Sequence, residues 1–352
     1  MPRQRRHLVP LVVASLAALL LAAGCGGQDE PATATAPKPL TTVSVALDWT
    51  PNTNHSGLYV ADRLGLYRDA GIRLKVIPYA TTLPETLVSR GRADFGVSYQ
   101  AGVSYARAAG GDVVSVLAPV QRNAFEIGVA ANREDLQRPR DLDGRTYAGF
   151  GVPDEVPALQ QVIRADGGRG EFKDVTLSTS AYEAVYDRRA DFTIPAATWQ
   201  VIEARLAGKP MRTFRFEDYG FPEQYSTLLV SSAKFLQDDP DLARRFLKAT
   251  LEGYQVADED PERAAQLLLE ANPTTLKNPE LVNASAKLMA QDGWLRDPDG
   301  EVSGTQAAER WNAYGRFLAE NDLLAGKDGK PLPAEPDWTT YYTNAYLPES
   351  EG

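Results

Sequence analysis

Asp48-Trp49-Thr50-Pro51-Asn52-Thr53-Asn54-His55 brings a carboxylate, an indole, amides and an imidazole into eight consecutive residues. A second concentration, Gly149-Phe150-Gly151-Val152-Pro153-Asp154-Glu155, sets an aromatic face beside two carboxylates, and Ser98-Tyr99-Gln100, Trp199 and Tyr225 add hydroxyl, amide and aromatic groups. An aromatic face stacks on a flat ring and a carboxylate accepts its N–H bonds, so this set suits a nitrogen-rich ligand that is neutral or cationic. The candidate ligand contacts are Asp48, Trp49, Asn52, His55, Ser98, Tyr99, Phe150, Glu155, Trp199 and Tyr225. Several have a plainer reading beside the functional one. Trp49 can fill a core and His55 can cap a turn. Asp154 and Glu155 can complement a helix N-terminus, an effect of roughly several tenths of a kcal/mol. Trp199 can pack on a helix with Ile202.

The same inventory excludes other chemistry. The chain holds two His and one Cys; a zinc site built from such ligands needs three or four, and His7 and Cys25 lie in the first 25 residues. No metal is expected, no cofactor, and no internal disulfide. Serine hydrolysis would have to run through His55, and no G-x-S-x-G elbow occurs. With 37 Lys+Arg against 47 Asp+Glu and a formal charge of −10, the chain lacks the basic face of a nucleic-acid binder.

Short β-rich runs alternate with helical stretches from residue 43 onward, and this positions the candidates. Strands are predicted over 43–49, 73–79, 95–99, 113–120 and 125–131, with helices over 58–70 and 83–90 between them. A second set, 146–150, 175–179, 191–195, 211–216 and 226–231, follows a polar connection at 132–144. Beyond 232 the pattern is helical, with Pro240 and Pro261 at first-turn positions. The pattern predicts an α/β chain of 352 residues in two similar lobes. Candidates cluster after strands, where open α/β sheets bind ligands.

Gly65-Leu66-Tyr67, Ala70-Gly71-Ile72, Arg90-Gly91-Arg92-Ala93-Asp94-Phe95-Gly96 and Asp141-Leu142-Asp143-Gly144-Arg145, in this order, resemble the turn signatures of ABC-importer solute-binding proteins. The segment 47–61 resembles the NMT1/THI5-like branch more specifically, as does Tyr341-Tyr342-Thr343-Asn344-Ala345-Tyr346-Leu347 near the end. The resemblance implies a two-lobe periplasmic-binding-protein type II fold, two mixed sheets flanked by helices, with an interlobe cleft that closes on a small solute. Lobe 1 is expected over 42–130 and 232–352, and lobe 2 over 131–231. The branch also includes a pyridoxal-phosphate-dependent thiamin pyrimidine synthase. Where that enzyme carries a Schiff-base Lys and a His four residues on, this chain has Ser98 and Gly102, and Asp154-Glu155 stands where its phosphate is held. The resemblance therefore implies a non-enzymatic binder. Its expected solute is a thiamin pyrimidine precursor, with riboflavin-like and sulfonate or taurine-like solutes as alternatives. The implied partner is an ABC permease, and the binder is expected to act as a monomer.

Arg3, Arg5 and Arg6, an apolar run over 8–21, and Ala22-Ala23-Gly24-Cys25 read as an export signal ending in a lipobox. Residues 1–24 are the expected signal peptide, Cys25 the expected lipidation site, and 25–41 a Pro/Ala/Thr-rich tether. Loss of the signal removes three arginines and deepens the formal charge to −13. The expected location is outside the cytoplasm, lipid-anchored to the cell membrane.

Overall fold

The computed structural model describes residues 39–349; the expected signal peptide, Cys25 and most of the tether lie outside the described residues. Ten strands and twelve α-helices follow in the order β1 (Thr41–Ala46), α1 (Ser56–Leu64), α2 (Leu66–Asp69), β2 (Ile72–Ile77), α3 (Pro84–Ser89), β3 (Phe95–Ser98), α4 (Gln100–Ala108), β4 (Val114–Val120), β5 (Glu126–Ala130), β6 (Thr146–Gly149), α5 (Glu155–Ala165), β7 (Lys173–Thr176), α6 (Ala181–Tyr186), β8 (Phe192–Thr193), α7 (Gln200–Leu206), β9 (Met211–Arg215), β10 (Thr227–Ser231), α8 (Ala233–Asp238), α9 (Pro240–Glu259), α10 (Pro261–Ala271), α11 (Pro279–Gln291) and α12 (Ala308–Glu320).

The strands form two five-stranded sheets, ordered β2-β1-β3-β10-β4 and β7-β6-β8-β5-β9. In the first, β1 runs parallel to β2 and β3, while β10 is antiparallel to β3 and β4. The second repeats the plan: β6 is parallel to β7 and β8, and β5 is antiparallel to β8 and β9. Two mixed sheets flanked by helices are the expected architecture. The expected lobe boundaries, 42–130 with 232–352 and 131–231, need correction, because they place β5 in lobe 1 and β10 in lobe 2 and each pairs in the other sheet. Lobe 2 is therefore built around 126–215, and lobe 1 takes the strands through β4 together with β10. Alternating apolar residues show that a segment is paired, but not with which partner.

Continuous apolar runs mark the strands buried on both faces. All seven residues of β4 are buried, as are all five of β10. Behind the first sheet, α9 lays Phe246 against Phe95 at 4.2 Å between ring centroids and against Tyr67 at 5.3 Å. Tyr147 and Phe192, 5.2 Å apart, centre the second lobe. The family-like closing segment covers the edge of β4. Ser115 N–H donates to the Tyr341 carbonyl at 3.0 Å, Thr343 N–H donates to the Ser115 carbonyl at 2.8 Å, and Tyr342 stacks on Trp311 at 5.7 Å.

Helix α1, which follows the Asp48–His55 loop, is set by a close crossing with α9. A Cβ on Gly253 would lie 2.1 Å from the Gly57 carbonyl oxygen, and one on Gly57 would lie 2.2 Å from the Tyr254 ring. Neither backbone has room to move without separating the helices. Gly253→Ala is expected to cost about 1–3 kcal/mol through overpacking, read as a melting temperature lowered by several degrees; an unchanged melt would show that the crossing relaxes freely.

Candidate functional site

The C-terminal ends of β1 and β3 in lobe 1 and of β6 in lobe 2 lead into facing loops. After β1, the loop is locked by its own polar groups. Asn52 Oδ1 accepts the Asn54 N–H at 2.9 Å and its Nδ2 donates to the Thr50 carbonyl at 3.0 Å. His55 Nδ1 accepts the Asn52 N–H at 3.2 Å, which leaves the proton on Nε2 to be donated to Asp48 Oδ1 at 2.9 Å. His55 is 1% exposed. The hydrogen-bonding groups of Asn52 and His55 are engaged within the loop, and they position Asp48 and Trp49, both partly exposed.

Trp49 faces the other lobe. Its ring lies 5.8 Å from Phe150 in an edge-on arrangement and 5.2 Å from Tyr79, while Phe150 is 5.4 Å from Tyr182. Four rings therefore run from lobe 1 to lobe 2, with Tyr79 at 44% exposure opening the row to solvent.

Ser98 is fully buried at the end of β3, and its hydroxyl donates to the carboxylate of Glu85 on α3. Next to it stands Tyr99. Burial holds its hydroxyl far above the usual phenol range, and the carboxylates of Asp154, Glu85, Glu155 and Asp48 push in the same direction. Tyr99 is thus surrounded by acids from both lobes. Among the described residues none of the four forms an ion pair with Lys or Arg; Asp48 has only His55.

On the lobe 2 side, Glu155 folds back over the turn before α5. Its Oε1 accepts the Phe150 N–H at 3.1 Å and its Oε2 the Gly151 N–H at 2.9 Å. Gly151 has φ +94°, a conformation open to glycine at little cost. Burial raises the Glu155 carboxyl above its ordinary range, while these two N–H donors pull it back. Glu155 thus holds Phe150 in place. Asp154 joins the lobes: Tyr105 on α4 donates to Oδ1 at 2.8 Å and Tyr314 on α12 donates to Oδ2 at 2.8 Å. Burial and the Asp154 charge keep both phenols protonated, well above their usual range.

Two candidates stand apart from the ring row. Trp199 packs against the cluster of Tyr59, Ala265 and Leu268 in lobe 1, beside Thr198, whose carbonyl accepts the Ser285 hydroxyl. Tyr225 is 1% exposed. Its N–H donates to Gln100 Oε1 at 3.1 Å, its hydroxyl accepts the Ala307 N–H at 2.9 Å, and the Arg310 guanidinium lies 4.4 Å over its ring. It fastens the return crossing to α4. Sequence reasoning missed Glu85, Tyr105, Tyr314, Tyr79 and Tyr182. Only Glu85 carried a signal, as an acid beside Pro84 at the start of a helix.

The residues present do not fit pyridoxal phosphate. The Schiff-base position holds Ser98, bonded to Glu85. A Cβ at Gly102 would lie 2.7 Å from Glu85 Oε1 and 3.0 Å from Ser98 Oγ, so no imidazole fits there. No group of His, Cys, Asp and Glu suited to a metal occurs among the described residues.

The Asp154 contacts make a further expectation. Hydrogen bonds to a charged group contribute about 1.5–3 kcal/mol each, so the double variant Tyr105→Phe, Tyr314→Phe should free lobe 2 from lobe 1. Small-angle scattering of the ligand-free protein should show a larger radius of gyration than wild type; identical curves would show that the lobes are held by other contacts.

Comparison with known proteins agrees with this architecture. Residues 52–264 match the model of the family described as NMT1/THI5 like. The formylaminopyrimidine-binding protein of Halalkalibacterium halodurans is 30% identical over 333 residues, covering 92% of this chain and 96% of the relative. The 4-amino-5-hydroxymethyl-2-methylpyrimidine phosphate synthase of Legionella pneumophila is 25% identical, covering 88% and 93%. Among solved structures, the periplasmic aliphatic sulphonate binding protein SsuA of Escherichia coli superposes with a TM-score of 0.65 at 17% identity, covering 88% and 94%, which confirms the type II two-lobe fold. The family match over residues 52–264 and the 30% identity to a relative covered almost end to end make this chain a member of the NMT1/THI5-like family.

Proposed function

We propose that the chain is the solute-binding protein of an ABC importer and that its cleft takes an amino-substituted heteroaromatic solute of the formylaminopyrimidine class. One observation carries the reading: Trp49 and Phe150 meet edge-on from opposite lobes at 5.8 Å, beside four carboxylates with no Lys or Arg paired to them among the described residues. Aromatic faces stack on a flat ring, and carboxylates accept its N–H groups or balance a positive charge. The same carboxylates repel a sulfonate, although the fold is shared with sulfonate binders. The 30% identity to a formylaminopyrimidine binder supports the solute class. Similarity to a synthase does not extend to its chemistry, since the groups that would hold and use a cofactor are replaced at Ser98 and Gly102.

A thermal-shift series tests the solute. A ligand that binds only the folded form stabilises it by RT ln(1 + [L]/Kd), about 2.7 kcal/mol at a hundredfold excess over Kd. Formylaminopyrimidine is expected to raise the melting temperature, and taurine and alkylsulfonates to leave it unchanged. A shift with sulfonates alone, or with riboflavin alone, would overturn the assignment.

Delivery to a membrane permease fits closure of two lobes around the solute. The lipobox-like sequence supports a lipid anchor at Cys25, with the chain acting as a monomer outside the cytoplasm. No helix among the described residues is long and apolar enough to cross a membrane. Cys25→Ser should move the protein from the membrane fraction to the soluble fraction; retention in the membrane fraction would remove the anchor from this reading.

A further inference from the structure

Glu85 is a buried acid that the expected contact set did not contain. It stands in the first turn of α3 and is 5% exposed. Helix α3 sits low on β3, because a Cβ at Gly96 would meet Pro84 at 3.0 Å and Val88 at 3.2 Å. This brings Glu85 level with the C-terminal end of β3, where the Ser98 hydroxyl donates to its Oε1. On the far side, a Cβ at Gly102 would lie 2.7 Å from that oxygen and 3.0 Å from both Ser98 Oγ and Tyr99 Cε1. Glu85, Ser98 and Tyr99 therefore close over the bare backbone of α4.

The four carboxylates around Tyr99 differ in how far their needs are met. Asp154 receives two tyrosine hydroxyls and Glu155 two backbone N–H groups. Asp48 receives His55 and keeps a side chain about one-third exposed, at 32%. Glu85 receives Ser98 at Oε1, and among the described residues no other residue donates to Oε2. Oε2 is not sealed from water although the residue as a whole is buried, so a ligand N–H entering beside Tyr99 can replace water at that oxygen with a charge-assisted bond.

We infer that Glu85 is the specificity-determining residue of this cleft: its Oε2 accepts an N–H of the amino group on the bound ring, so that a ring lacking that group is rejected. This rests on the reading of the cleft as a binder of amino-substituted heteroaromatic solutes. It adds that discrimination resides in lobe 1, at one carboxylate oxygen, with the aromatic row supplying stacking that does not distinguish amino from hydrogen.

Calorimetric titration with 4-amino-5-hydroxymethyl-2-methylpyrimidine and with 5-hydroxymethyl-2-methylpyrimidine, which lacks the ring amino group, tests this. Wild type is expected to prefer the amino compound by about tenfold or more, and Glu85→Gln to reduce that preference to about threefold or less, because a charge-assisted bond becomes a neutral one. Glu85→Gln should fold. Burial raises the Glu85 carboxyl above its ordinary range, and a carboxyl raised in the folded state contributes stability at low pH that is lost as pH rises through its folded value. Removing the charge should therefore leave the variant melting no lower than wild type at neutral pH, and thermal melts check this alongside the titrations. A tenfold preference that survives in Glu85→Gln, or a wild type that binds both compounds equally, would overturn the role of Glu85 while leaving the solute class standing. A wild type that binds neither compound, nor formylaminopyrimidine, would overturn the solute class and this role together.

Discussion

A carboxylate taken out of water must be met by donors, and this cleft buries several without a lysine or arginine to meet them. Much of the local structure follows from that demand. Asn52 and His55 form a closed set of hydrogen bonds ending at Asp48; the turn at Phe150 and Gly151 presents two backbone N–H groups to Glu155; two tyrosines from separate helices reach Asp154. Neutral donors stabilise these charges without cancelling them. The chamber stays electronegative, which favours a ligand rich in N–H groups and disfavours an anion.

The division of labour between lobes is uneven. Lobe 1 contributes the rings of Trp49 and Tyr79, the carboxylates of Asp48 and Glu85, and the phenol of Tyr99. Lobe 2 contributes Phe150, Tyr182 and two carboxylates, of which Asp154 is held by tyrosines of lobe 1. Asp154 is then a measure of closure: its two bonds exist only when lobe 2 stands against α4 and α12. Ligand affinity in such a molecule depends on the balance between open and closed forms as well as on contacts in the cleft.

Much of this was legible beforehand. The strands, their number per sheet and the loops carrying Trp49 and Phe150 follow from alternation and turn residues, because local pattern reports local burial. The partners of β5 and β10 were not legible, since the apolar runs of both strands suit either sheet. Glu155 and Tyr225 show a second limit. A carboxylate at a helix start and a tyrosine in a crossing carry no mark of the backbone N–H groups they accept, from Gly151 and Ala307, because those partners are set by the fold. Tyr105 and Tyr314 could not have been found at all, being single tyrosines on helices about 200 residues apart in the chain that meet only in three dimensions.

The pairing of β4 with β10 has a consequence for how the chain assembles. All the strands of the second sheet lie in one stretch, from Glu126 to Arg215, so its partners are all present once that stretch is made. The first sheet has to wait. Between completion of β4 at Val120 and arrival of β10 at Thr227, its seven buried residues have no neighbour in their own sheet, and pairing across so long a separation is slow and leaves an apolar edge exposed. The order of maturation runs against the order of the chain: lobe 2 completes first, and lobe 1, which begins the domain, closes last.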